Sequence, residues 1–132
     1  MLTIIQLLKQ WVDIKIVLAQ KKSNLFFKEK EIWWCHLGMN LGEEEYGKGI
    51  KFTRPVLIFK KFTSNSFAGL PLTSKKKAGT WYAEINFHQK SSWVLLNQVR
   101  TLDKTRLISR IVELNNNDFL KTKERFIELY RS

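Results

Sequence analysis

Arg54 and Pro55 stand together at the close of a polar, glycine-bearing stretch and directly before the apolar run Val56-Leu57-Ile58-Phe59. A side chain fixed by proline at the mouth of a buried strand is displayed by a rigid scaffold. A guanidinium displayed in that way can hold a phosphate at two points. Thr73 and Ser74 close a second candidate strand, Phe67 to Leu72, and precede Lys75-Lys76-Lys77, so two hydroxyls sit beside a cationic turn. These residue types point to a phosphate site. Taken one residue at a time, plain surface positions are the commoner explanation.

Other chemistries leave weaker traces. No G-x-S-x-G elbow, catalytic Cys–His signature or P-loop occurs, and the glycines between Gly42 and Gly49 lack the lysine spacing of a nucleotide cradle. Glu43, Glu44 and Glu45 could attract a cation, although a run of carboxylates in a loop is more often just solvated. His36 and His88 invite an acid/base pair because imidazole titrates near neutral pH. Neither lies in a recognisable local motif, so structural or surface roles are favoured. Cys35 is the single cysteine, which excludes an intrachain disulfide and a cysteine metal cluster. Set among Trp33, Trp34 and Leu37, it reads as a small buried hydrophobe. No metal and no cofactor is expected.

The surroundings of these residues suit an anionic partner. Lys and Arg number 23 against 12 Asp and Glu, a formal net charge of +11, which favours nucleic acid, an anionic membrane or acidic protein segments. Aromatics make up 13% of the chain, with five Trp, so bases could stack on the surface. For Trp33, Trp34 and Trp93 a place in the core is the favoured reading, since each lies in a strand-like run. Lys9, Gln10, Asp13 and Lys15 interrupt the apolar first 20 residues, so no run long enough to span a bilayer is present. Their order does not fit a secretory signal. A soluble protein of the reducing cytoplasm, without membrane contact, is the expectation.

The elements that position the candidate residues can be read in turn. Residues 3–20 carry Ile5, Leu8, Val12 and Ile16 along one stripe with Trp11 beside it, which predicts a helix. The stretch 1–24 is read as a helical extension, an appendage packed on the main body or on a partner subunit, and 25–132 as one domain. Glu31 to Leu37 predicts a strand bounded by Gly38, and Gly38 to Thr53 a long polar loop. Pro55 to Phe59 predicts a strand buried on both faces. Phe67 to Leu72, Trp81 to Phe87 (which alternates with period two) and Ser92 to Val99 predict further strands. Asp103 can cap a short helix over Lys104–Arg110, and a last helix is predicted from about Asp118 to Arg131, capped by Asn117, with Phe119, Phe126, Ile127 and Tyr130 inward. Short strands separated by turns, with helices at the ends, make an α+β, mainly β chain built on a small closed or half-closed β-barrel.

The order of the motifs is more specific than any one of them. Glu31-Ile32-Trp33-Trp34, then Gly42-x-Glu44-x-x-Gly47-Lys48, then Arg54-Pro55-Val56-Leu57-Ile58 resembles the MazF/PemK/Kid family of toxin–antitoxin ribonucleases. Pro71-Leu72-Thr73-Ser74, Gln98-Val99-Arg100-Thr101-x-Asp103 and Arg106-Leu107 continue the resemblance, which covers about residues 29–114. It implies an SH3-like toxin barrel, usually a homodimer, that cleaves single-stranded RNA without metal, together with a cognate acidic antitoxin. DNA would be met only through an antitoxin complex. Residue by residue, it sets the catalytic arginine on Arg54, the catalytic hydroxyl on Thr73 and the loop glutamate on Glu44, with Glu43 and Glu45 as register alternatives. Ser74, Gln98, Arg100, Asp103, Lys48 and Lys75 are the RNA contacts it implies. The histidine of the Kid-like branch has no secure counterpart, which leaves the general base open between Glu44 and Asp103.

The reaction so implied has the RNA 2′-OH attack its neighbouring phosphorus, giving a 2′,3′-cyclic phosphate and a free 5′-OH. Arginine keeps its proton at neutral pH, so Arg54 is assigned charge stabilisation or proton donation and not base work. Lys48, Lys51, Lys60, Lys61 and Lys75 to Lys77 could line an RNA groove. The rival class is a non-catalytic barrel that binds nucleic acid or an acidic protein segment, because such barrels host many functions.

Overall fold

Short apolar and β-branched runs bounded by turn residues become strands, and the period-two alternation of their side chains decides which face each covers. The computed structural model describes residues 3–10, 25–38 and 53–131. These contain β1 (Glu31–His36), β2 (Thr53–Lys61), β3 (Ser66–Thr73), β4 (Tyr82–Phe87), β5 (Lys90–Leu95), β6 (Arg100–Asp103) and β7 (Leu107–Glu113). Residues 4–10 are helical (α1), and Asn116–Tyr130 form α2.

All strand pairs are antiparallel, in the order β4-β5-β3-β2-β1-β7, with β6 also on β3. β2 runs along one edge of β3. The other edge of β3 is divided: Ser66 to Gly69 pair with β6, and Leu72 and Thr73 pair with β5. A strand shared in this way coils the sheet on itself. β4 and β7, at the two ends of the order, do not pair, so the expected SH3-like barrel is half-open.

Each face of the sheet carries its own core. On one, Val56 and Ile58 pack with Trp33, Cys35, Phe67, Leu102 and Leu107. On the other, Leu57 packs with Ile32, Leu70, Leu72, Ile85, Val94 and Phe119. Because β2 is covered on both faces, its three central residues are all fully buried, which explains the unbroken apolar run. Gly69 sits where the first core is tightest: a Cβ there would lie 2.7 Å from Val56 Cγ1 and 3.0 Å from Leu102 Cδ1.

α2 closes the second face. Phe119, Phe126 and Leu129 point inward, and the Phe59 ring lies 4.7 Å from Phe126 and 6.2 Å from Phe119, centre to centre. The helix starts earlier than predicted, with Asn115 and not Asn117 accepting the Asp118 amide as its cap. Ile127 is exposed, and Tyr130 is half exposed with its hydroxyl donating to the Leu96 carbonyl. The short helix expected over Lys104–Arg110 is only a 3-10 turn, Lys104–Arg106, capped by Asp103. From Leu107 the β-branched residues pair with β1 instead. The strand expected over Ser92 to Val99 stops at Leu95, where Leu96–Gln98 form another 3-10 turn.

At the N-terminus, the Thr3 amide donates to Gln6 Oε1 and the Gln6 amide to Thr3 Oγ1, a reciprocal cap that starts α1. Ile5 and Leu8 are exposed on it. The rest of the predicted N-terminal helix, with Trp11, Val12 and Ile16, and residues 39–52 of the predicted polar loop lie outside the described residues. Among the described residues no helix is long and apolar enough to cross a membrane.

Candidate functional site

β2 begins and β3 ends at the same place on the sheet. In their register Val56 faces Pro71, and continuing it by two residues sets Arg54 opposite Thr73. The pairing of β1 with β2 sets Cys35 against Arg54 and Trp34 against Pro55. These three strand ends enclose a cleft of about 150 Å³ lined by Trp34, Thr53, Arg54, Pro55, Leu72, Thr73, Ser74 and Ser92. The four residues singled out first in the sequence therefore share one cavity.

Arg54 is only 5% exposed, and its Nη1 donates to the Leu72 carbonyl at 3.3 Å, which orients the guanidinium plane. A cation this deep acts through a lower effective dielectric than one on the surface, so an anion brought to it is held more strongly. Thr73 is buried as well, and its Oγ1 accepts from the Lys75 amide at 3.2 Å. That bond uses an oxygen lone pair and leaves the hydroxyl hydrogen to donate elsewhere. Ser74, one residue beyond the strand, is exposed at the rim.

Trp34 departs from the expectation of a core residue. It is 41% exposed and lines the cleft, whereas Trp33 is buried with its Nε1 donating to Glu31 Oε1 at 3.1 Å. Trp93 is half-buried. Neighbouring residues of a strand face opposite ways, so one of the two tryptophans had to leave the first core. That alternation was the available signal. It could not reveal that the second face of β1 is open at this end. Thr53 and Ser92 were also missed, for want of any motif around them.

A second group of charges lies on β6 and the turn after it. Arg100 pairs with Gly69, and its Nη1 is buried with no hydrogen-bond partner among the described residues. Arg106 donates from Nη1 to the His36 carbonyl at 3.2 Å. Burial and then the neighbouring Arg100 charge lower the Arg106 pKa, with Asp103 acting in the opposite direction. Burial alone would raise the Asp103 pKa. Hydrogen bonds from the Thr105 side chain and amide, with the charges of Lys104 and Arg106, outweigh it and hold the carboxyl below its usual range. Two guanidiniums thus stand close together on this part of the molecule.

The remaining candidates are dispersed. Gln98, Arg100, Asp103 and the Lys75 side chain do not line the cleft; Gln98 is half-buried at the end of its 3-10 turn. Glu44 and Lys48, like Glu43 and Glu45, lie outside the described residues. Among the described residues no group of three or more His, Cys, Asp and Glu is placed to hold a metal ion. His36 is buried at the end of β1. His88 and Gln89 make the two-residue β4–β5 turn with φ of 50° and 61°, so His88 is an exposed turn residue. Cys35 is fully buried, and that burial pushes its thiol well above the usual pKa, which keeps it protonated and unreactive.

Fold and site together define a small coiled β-sheet domain that presents a buried guanidinium and a hydroxyl at adjoining strand ends, on a cationic chain. Residues 28–130 match the family described as PemK-like, MazF-like toxin of type II toxin-antitoxin system, and the chain belongs to that family. It is 26% identical over 110 residues to Endoribonuclease EndoA of Bacillus subtilis (strain 168), an alignment spanning 76% of this chain and 90% of that protein. Its fold is similar to a crystal structure of MazF from Deinococcus radiodurans (TM-score 0.63, 18% identity, 80% of this chain and 97% of that one). A MazE-MazF structure from the same organism matches with TM-score 0.59 and 16% identity, over 82% of this chain and 98% of that one. An endoribonuclease in complex with its cognate antitoxin, from a mycobacterial species, matches with TM-score 0.56 and 16% identity over 76% and 90%.

Proposed function

We propose that this toxin-family protein is a metal-independent endoribonuclease that cuts single-stranded RNA at the cleft between β2 and β3. The observation that carries the reading is the meeting of the buried Arg54 guanidinium and the Thr73 hydroxyl in one cavity. A scissile phosphate there accumulates negative charge as the 2′-oxygen attacks, and both groups are oriented before the reaction starts. Trp34, half exposed beside them, offers a face to an unpaired base; a base inside a duplex could not reach it.

In this mechanism a base removes the 2′-OH proton, the 2′-oxygen bonds to phosphorus, and the 5′-oxygen leaves and is protonated by water. Glu44 takes the base role. Asp103 is the weaker choice because its carboxylate is engaged by Thr105, and a carboxyl held below its usual pKa accepts protons poorly. Arg100 and Asp103, with Gln98, Ser74, Lys48 and Lys75, serve RNA binding. The protein works in the cytoplasm as a homodimer. An acidic antitoxin restrains it, and DNA is approached only through that antitoxin.

The test is incubation of purified protein with single-stranded RNA containing all short sequence words, in EDTA. Fragments ending in cyclic phosphate, absent with Arg54→Ala, are expected. Tight binding without cutting would turn the reading to a non-catalytic barrel, and loss of cleavage in EDTA would turn it to a metal-dependent nuclease.

A further inference from the structure

Beyond the turn after Thr73 and Ser74, the surface carries a second concavity of about 270 Å³. Lys77, Tyr82, Glu84, Trp93, Lys121 and Arg125 line it. It lies on the outer face of the β4–β5 hairpin, opposite the face that bears Ser92, and α2 supplies Lys121 and Arg125. The Lys77 Nζ stands 6.0 Å above the Tyr82 ring. Arg125 donates from Nε to the Tyr82 carbonyl at 2.9 Å and from Nη2 to the Gly79 carbonyl at 3.1 Å, which pins the turn to the helix and stiffens the wall. Among the described residues Glu84 is the one carboxylate in the lining, and it accepts from the Ser91 hydroxyl at 3.0 Å. Lys121 Nζ also stands 4.0 Å from Asp118 Oδ1 on the same helix, so three cations meet two carboxylates at the hollow and its rim, an excess of one positive charge.

Two features join this hollow to the cleft. Trp93 pairs in the sheet with Thr73 itself, and Ser74 and Lys77 are three residues apart, so at full extension about 11 Å separates them. Lys75 and Lys76 occupy that interval and are exposed. The cleft and the aromatic-floored hollow are therefore neighbours, with a cationic turn between them. Aromatic floors with cationic walls are what non-sequence-selective single-strand binding uses, one supplying stacking and the other phosphate contacts.

We infer that this hollow is a second RNA subsite, which takes a nucleotide a few positions from the cut, its base against Tyr82 or Trp93 and its phosphate between Lys77 and Lys121. The inference rests on the proposed ribonuclease activity and adds where the flanking strand runs. A short RNA that fills only the cleft is held less well than one reaching the hollow. Nearness to the cleft, through the Lys75–Lys77 turn and the Thr73–Trp93 pair, favours RNA over an acidic peptide as the occupant.

The experiment compares a short cleaved RNA with the same RNA lengthened by several nucleotides on the 5′ side or on the 3′ side, in wild type, Lys121→Gln and Lys121→Arg. For wild type, KM falls about tenfold on lengthening at one of the two ends, the size expected from one stacked base. Lys121→Gln loses at least half of that gain on a logarithmic scale, and the slope of log affinity against log salt for the long RNA falls by about 0.7, one phosphate contact on a single strand. Lys121→Arg keeps both. The ratio of the two KM values within each variant cancels any general loss of folded protein. An unchanged ratio in Lys121→Gln, or no gain from lengthening at either end, overturns the inference. An unchanged RNA ratio with weakened binding of an acidic peptide would assign the hollow to a protein partner and overturn it equally. If no RNA is cut, the proposed activity fails, and the same length series read as binding of labelled RNA still decides the hollow.

Discussion

Replacing Thr73 by valine changes little except the hydroxyl. Valine keeps the branched shape suited to the last residue of β3 and to a site 7% exposed, so the cleft wall stays in place. Two hydrogen bonds are affected. The first is structural: the Lys75 amide loses its acceptor at 3.2 Å, and a hydrogen bond of this kind contributes about 1 kcal/mol. For a domain between the small and large size classes, that is a fall in Tm of about 3–6 °C. The second, in the proposed mechanism, is the donation from the hydroxyl to the phosphorane oxygen, present only as the reaction proceeds. Loss of one preorganised donor costs roughly 100- to 1,000-fold in kcat, about 2.7–4 kcal/mol. The two effects separate in the assay: single-turnover cleavage of a labelled RNA reports the second, and thermal unfolding the first. Thr73→Ser, which restores the hydroxyl and drops the methyl, should recover most of the rate. Cleavage by Thr73→Val within about threefold of wild type, with the fold intact, would refute the assignment of the hydroxyl to the transition state.

Gly69→Ala should destabilise the fold by about 1–3 kcal/mol through overpacking, because its Cβ would meet Val56 Cγ1 at 2.7 Å; an unchanged denaturation midpoint would contradict the tight approach at β3. Asp103, with a folded pKa below the unfolded one, contributes stability that is present above about pH 4 and is lost as pH falls through the folded value. The Tm advantage of wild type over Asp103→Asn should therefore shrink between pH 6 and pH 3, and a pH-independent difference would remove the electrostatic account. Arg100→Met removes a buried guanidinium nitrogen that lacks an acceptor and sits near Arg106. It should leave stability unchanged or raise it while weakening RNA binding, and a large drop in Tm would show that Arg100 holds the fold.

Both halves of the site could be read in the sequence because each carries local punctuation. Proline before an apolar run marks the start of β2, and the three lysines after Thr73-Ser74 mark the end of β3. Their meeting was not legible, since it depends on a register between strands that no local pattern contains. The same limit explains Trp34: strand alternation says that Trp33 and Trp34 face opposite ways, yet only the coil of the sheet decides which face is left open. The predicted helix over Lys104–Arg110 failed for another reason. Asp103 does cap a turn, but β1 offers a partner edge to Leu107 onward, and a ladder against Cys35 and Trp34 outweighs the weak helical preference of Ile108, Ile111 and Val112. Cap chemistry marks where the chain turns, and pairing with β1 makes the residues after that turn a strand.

The position of Arg54 is a consequence of the burial of β2. A strand covered on both faces has no freedom to tilt, so the residue near its start inherits the stiffness of two cores at once. Thr73 inherits the same stiffness from β3, which is held by β2 on one edge and by β5 at Leu72 and Thr73 on the other. An exposed arginine would lose side-chain entropy on meeting a phosphate, and water would screen its charge. On the proposed reading that ordering, and the desolvation of the guanidinium, accompany folding and not RNA binding. The lysines of the Lys75–Lys77 turn show the contrary arrangement: two are exposed and all lie on a turn, placed to attract an anionic strand toward the strand ends beneath them.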